Sequence, residues 1–131
     1  TAKAYELRNA YGLDKIRSEK KALHRYLVSE LKNLEGVTIY GNMNTENIGI
    51  CSLNVDGWSP YDLCDALSRD YGIETRAGCS CAGPYGHVLL GLENHQEMPP
   101  DVGWLRISVH YTHTKADIDY LLESIKAIIY Q

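Results

Sequence analysis

The stretch "GWLRISVHYTHTKADIDYLLESI", residues 103–125, changes its hydrophobic period once, and that change decides the fold. From Trp104 to Thr112 the period is two. Leu105, Ile107, Val109 and Tyr111 take one face of an extended strand, and Trp104, Arg106, Ser108 and His110 take the other. Thr114 then caps a helix in which Ile118, Leu121, Leu122, Ile125, Ile128 and Ile129 form an apolar stripe. A strand with one apolar face running into an amphipathic helix calls for a sheet covered by helices on one side.

The rest of the chain supplies the other pieces. Residues 2–11 and 14–34 read as helices, with Gly12 as the break and Asp14 as N-cap. Ile16, Leu23, Leu27, Leu31 and Leu34 stripe the longer one, and Gly36 ends it. VTIYG (37–41) and NIGICSLNV (47–55) read as strands. Ser59-Pro60 opens a helix in which Ser59 caps, Pro60 takes the first position and Asp62 sits near the positive dipole end. Leu63, Leu67 and Tyr71 stripe that helix, and Gly72 closes it. IETRA (73–77) is a further strand, and 92–103 is a polar loop. The expected fold class is α+β: a small, mostly antiparallel sheet with helices on one face. The uncovered face carries Arg106 and Arg76, and if a covering domain is missing its Trp104 is expected to lie in an exposed apolar patch.

The 131 residues suit one small domain, 1–131. A net charge of −4, with no run of Lys or Arg, argues against nucleic acid as a partner. No apolar run reaches the roughly 20 residues of a membrane helix, and no signal peptide opens the chain. With nothing else pointing to secretion, the four cysteines read as reduced thiols and the compartment as cytoplasmic.

Two of those cysteines lie in "ETRAGCSCAGPYGH", residues 74–87. Cys51 and Cys64 occupy apolar positions and read as small buried hydrophobes. Cys79 and Cys81 sit among glycines in a tight loop, where burial is hard. Zinc could draw on Cys79, Cys81, His87 and His95, but a Cys-x-Cys pair followed by a lone His is a weak match to tetrahedral ligand spacing. A Cys79–Cys81 disulfide would close a small, strained ring. Gly78, Gly83 and Gly86 could line a phosphate loop, but no G-K-[ST] follows. A nucleophilic thiol fits better, because Arg76 lies just upstream and His87 just downstream to favour thiolate. Arg106, mid-strand between apolar neighbours, reads equally as a bidentate grip on a carboxylate or as an ordinary solvated residue. His24 reads as solvated, and His110 and His113 as surface or capping residues.

"IETRAGCSCAGPYGHVLLG" followed by "GWLRISVHYTHTKADIDYLLESI" resembles the C-terminal small domain of the class V aminotransferases. These pyridoxal-phosphate enzymes of fold type I include the cysteine desulfurases and selenocysteine lyases. The resemblance covers essentially the whole chain. It implies that Cys81 is the catalytic, sulfur-accepting thiol, leaving persulfide and alanine from a cysteine substrate. It implies that Arg106 binds the substrate carboxylate and that Arg76 is a second active-site arginine. Cys79 has no counterpart in the better-known desulfurase pattern. With His87 it is a possible auxiliary residue, and transamination or another lyase reaction stays open.

The family holds pyridoxal 5'-phosphate on a lysine of a large domain. Lysines 3, 15, 20, 21, 32, 115 and 126 here all lie on polar helix positions, where the amine stays solvated and protonated. The resemblance therefore implies a missing large domain or second subunit, joined through the helical segment 1–34, and no cofactor-binding residue in this chain. It implies a small amino-acid substrate, a possible homodimer and no turnover by the chain alone. The alternatives are a stand-alone persulfide carrier and a small metal-binding domain.

Overall fold

The computed structural model describes residues 2–42, 45, 47–79, 83–93 and 102–130. Two helices come first, α1 (Ala2–Tyr11) and α2 (Leu13–Lys32), followed by strands β1 (Val37–Tyr40) and β2 (Ile50–Val55). Next are α3 (Pro60–Tyr71), β3 (Arg76–Gly78), α4 (Gly83–Leu90), β4 (Trp104–Ser108) and α5 (Lys115–Ile129). The sheet order is β1-β2-β4-β3, and all three pairings are antiparallel. This is the α+β architecture that the change of period at Thr114 implies.

Alternation along β2 sends Cys51, Leu53 and Val55 to one face, where Leu105 and Ile107 of β4 join them. Leu27 and Leu31 of α2, Leu63 and Leu67 of α3 and Leu121, Leu122 and Ile125 of α5 close over that face. Each fully buried leucine contributes about 1.5–3 kcal/mol of hydrophobic stabilisation. The caps act as their residues dictate. Ser59 Oγ accepts from the Tyr61 amide, Gly72 turns out of α3 at φ 66°, and Thr114 and Asp117 form a reciprocal capping box on α5.

Several expectations need correcting. Helix α2 starts from Gly12 with no side-chain cap, so Asp14 lies in its first turn. The strand expected from 47 begins only at Ile50, because Asn47 Oδ1 accepts from the Gly49 and Ile50 amides and folds 47–49 into a turn. His24 is buried, not solvated: a ring nitrogen lies 3.0 Å from the Ile50 carbonyl oxygen. Strand β4 stops at Ser108, and His110 to His113 form a turn in which the His110 amide donates to His113 Nδ1. Residues 83–87, read as part of the glycine loop, belong to helix α4, Gly83–Leu90.

Trp104 also departs from expectation. It is only 6% exposed, although it lies on the face away from the core. Its partner in the ladder is Gly78, which has no side chain, and its ring packs near Tyr40 with centroids 6.2 Å apart. Exposed apolar side chains lie instead on α1 (Tyr5, Leu7) and α4 (Tyr85, Val88).

Candidate functional site

The sheet face away from the helices carries one continuous cross-strand row. Tyr40 stands opposite Ser52, Ser52 opposite Arg106, and Arg106 opposite Arg76. Residues opposite each other in an antiparallel ladder share a face, with Cβ atoms roughly 5 Å apart. The two arginines therefore leave the sheet from adjacent positions on one face. Arg106 is half-buried and Arg76 exposed. Neither makes a hydrogen bond or ion pair among the described residues. Two adjacent cations without a counter-charge repel each other, and a planar carboxylate is the species that both could hold.

Strand β3 delivers the cysteine segment directly. Cys79 follows Gly78, half-buried and with a free thiol. Tyr61, in the first turn of α3, brings its hydroxyl to the same corner, 3.4 Å from where a Cβ on Gly78 would stand. Cys81 and His95 lie outside the described residues. His87 is on α4 and buried. Cys51 is wholly buried and its thiol pushed up to about 12 by burial, so it is inert. Cys64 accepts a hydrogen bond from Thr75 Oγ1 at 3.3 Å and is half-buried.

Sequence reasoning named Arg76, Arg106 and the cysteines, and the ladder puts the two arginines directly opposite one another. It missed Tyr61, Ser52 and Asn54. Period two puts Ser52 and Asn54 on the arginine face, but nothing in the sequence signals the Asn54 contacts that the structure contains. Asn54 Nδ2 donates to the Gly103 carbonyl at 2.8 Å and to Tyr40 Oη at 3.2 Å, while its Oδ1 is buried without a partner among the described residues.

Lys3, Lys15, Lys115 and Lys126 do not fit a covalent cofactor anchor. Lys115 and Lys126 are raised above the ordinary lysine range, chiefly by hydrogen bonds to Asp119 and Glu123. Imine formation needs the opposite shift. Lys3 and Lys15 are exposed and paired with Glu6 and Glu19. No step through pyridoxal phosphate is therefore derived from this chain's residues.

The fold and the arginine row define a class: a small α+β domain that sets two arginines opposite each other on one sheet face, beside a thiol-bearing segment. Residues 1–121 match the family described as aminotransferase class-V, and the chain belongs to that family. It is 31% identical over 124 residues to a probable cysteine desulfurase of Halobacterium salinarum, covering 95% of this chain and 27% of that protein. It is 33% identical over 116 residues to a probable cysteine desulfurase of Halalkalibacterium halodurans, covering 88% and 25%. The fold is similar to part of a cysteine desulfurase from Thermococcus onnurineus, with a TM-score of 0.80 and 26% identity over 95% of this chain and 28% of the other. A cysteine desulfurase from Escherichia coli shares the fold with a TM-score of 0.76 at 22% identity, over 95% and 28%. The chain thus spans about a quarter of the length of the curated relatives it matches. No helix among the described residues is long and apolar enough to cross a membrane.

Proposed function

We propose that this chain is the C-terminal small domain of a cysteine desulfurase-like enzyme, and that it supplies the sulfur-accepting thiol and the carboxylate grip. Cys81 accepts the sulfur, Arg106 holds the carboxylate of a small amino-acid substrate, and Arg76 stands beside it as a second cation. The segment 1–34 joins the domain to a large one that carries pyridoxal phosphate and its lysine. The single observation behind this reading is the direct opposition of Arg76 and Arg106, unpaired among the described residues, on a face where β3 runs straight into the cysteine segment.

The assignment leaves the chain incompetent alone. Incubated with pyridoxal phosphate and cysteine, the 131-residue chain is expected to release no alanine and to show no lysine-dependent absorption band. The polypeptide encoded by the same reading frame, extended upstream of Thr1, is expected to release alanine. In that longer protein Arg106→Ala should raise KM for cysteine about 100-fold or more, as expected when a charge-assisted bidentate contact is lost. Alanine from the isolated chain, or an unchanged KM in Arg106→Ala, would sink the reading.

A further inference from the structure

Asn54 holds an arrangement that carries a cost. Its amide nitrogen spends both hydrogens, one on the Gly103 carbonyl at 2.8 Å and one on Tyr40 Oη at 3.2 Å. Its oxygen is buried with no donor among the described residues. Turning the amide over would set that oxygen against the Gly103 carbonyl, so the geometry admits one orientation. A buried acceptor left bare is uncommon in folded proteins and asks for a reason.

The reason lies at Gly103. This buried residue presses on the backbone of Gly78. A Cβ at Gly103 would stand 2.5 Å from the Gly78 carbonyl carbon, 2.8 Å from its Cα and 2.9 Å from its oxygen. No side chain fits there. Gly78 itself has φ +127°, a conformation that L side chains rarely adopt. Two glycines thus meet backbone to backbone at one corner of the sheet. Gly78 is the last residue of β3, and Cys79 comes next. Gly103 precedes β4, and Arg106 is three residues on. One contact therefore sets both where the cysteine segment leaves the sheet and where the carboxylate-binding strand starts.

We propose that Asn54 is a positioning residue: by holding the Gly103 carbonyl it keeps Gly103 against Gly78 and so fixes the exit path of the cysteine-bearing segment relative to Arg106. The inference rests on the reading that this segment carries the reacting thiol, but its test uses neither substrate nor cofactor. Asn54→Leu keeps the branching at Cγ in a larger side chain and removes the bare oxygen, while the Gly103 carbonyl loses its donor. Asn54→Ala removes the same donor without adding bulk, so a rise at Cys79 common to both variants is not an effect of overpacking.

The three described thiols supply internal controls. Cys51 is wholly buried and reports global opening, Cys64, hydrogen-bonded to Thr75 just before β3, reports the packing of α3 on β3, and Cys79 reports the corner itself. The reduced chain is alkylated with iodoacetamide, and each thiol is followed over time by peptide mass spectrometry. Asn54→Leu is expected to speed alkylation of Cys79 by about fivefold or more while Cys51 and Cys64 stay within about twofold of wild type. Gly103→Ala should do the same more strongly. An unchanged Cys79 rate overturns the proposal. A joint rise at all three thiols also overturns it, because that is general destabilisation. Should Asn54→Leu fail to fold, Asn54→Ala read by the same ratio decides. If the extended polypeptide never desulfurates cysteine, the functional reading falls and the alkylation result stands.

Discussion

Replacing Arg106 with threonine should make the isolated chain more stable. Arg106 sits opposite Arg76 in the β3–β4 ladder, and neither guanidinium has a counter-charge among the described residues. Like charges directly opposite on a sheet are destabilising. For any two unit charges about 7 Å apart, the repulsion is about 0.6 kcal/mol at a dielectric of 80 and about 2.4 kcal/mol at 20. Screening at 0.15 M salt, where the Debye length is about 8 Å, cuts this by roughly half. Threonine is at home in strands, so the swap adds no backbone penalty. The net expectation is a gain of about 0.5–1 kcal/mol in urea unfolding at low salt, or about 2–5 °C in Tm. Arg76→Thr should give a similar gain. The double variant should gain no more than the larger single, because the same repulsion is lost once. In 1 M salt, where the Debye length is about 3 Å, the gain should nearly vanish. A loss of about 1 kcal/mol in Arg106→Thr, or a gain that ignores salt, would refute the reasoning, since either means that the guanidinium is already neutralised. The stabilised variant should also have lost the proposed carboxylate grip, as expected where a site strains its own fold.

Other perturbations test separate parts of the account. His24→Leu should cost about 1–2 kcal/mol in urea unfolding, because it takes a buried hydrogen-bond partner from the Ile50 carbonyl; an effect within about 0.5 kcal/mol would mean the ring is solvated after all. Thr114→Ala should cost about 1 kcal/mol through loss of the α5 N-cap, seen as a fall in Tm; no change would mean that the capping box is idle. Asp117 is held below the usual carboxylate range by the Thr114 backbone amide and then by its hydroxyl. A depressed carboxyl adds stability that is complete above its unfolded value and lost as pH falls through the folded one. Melting from pH 6 to pH 2 should therefore show wild type losing Tm mainly below about pH 4, with a smaller acid loss in Asp117→Asn. Parallel profiles for the two proteins would contradict this.

How far the fold can be read from sequence depends on whether the signal is local. Ser59-Pro60 and Thr114-x-x-Asp117 set helix starts by capping, which acts within four residues, so α3 and α5 begin where expected. Period two put Arg106 and Trp104 on the same side of β4, and the structure agrees. Burial of His24 and Trp104 was not legible, because each depends on a distant partner: the Ile50 carbonyl in one case, Tyr40 and the bare Gly78 in the other. Helix α4 was hidden by its own composition. Gly83, Pro84 and Gly86 read as a turn, since glycine costs about 1 kcal/mol in a helix. For the site, residue types and strand faces named both arginines. Only the ladder register, set by long-range pairing, put them opposite each other. Asn54 left no trace in sequence, because its role depends on meeting Gly103, a backbone contact 49 residues away.

The proposed sulfur acceptor can be observed directly. The extended polypeptide would be incubated with cysteine, quenched by alkylation and digested, and the fragment spanning Cys79 and Cys81 sequenced by mass spectrometry. One added sulfur atom on Cys81, absent in Cys81→Ser and still present in Cys79→Ser, is the predicted result. Added sulfur on Cys79 alone, or alanine formed at the wild-type rate by Cys81→Ser, would contradict the assignment.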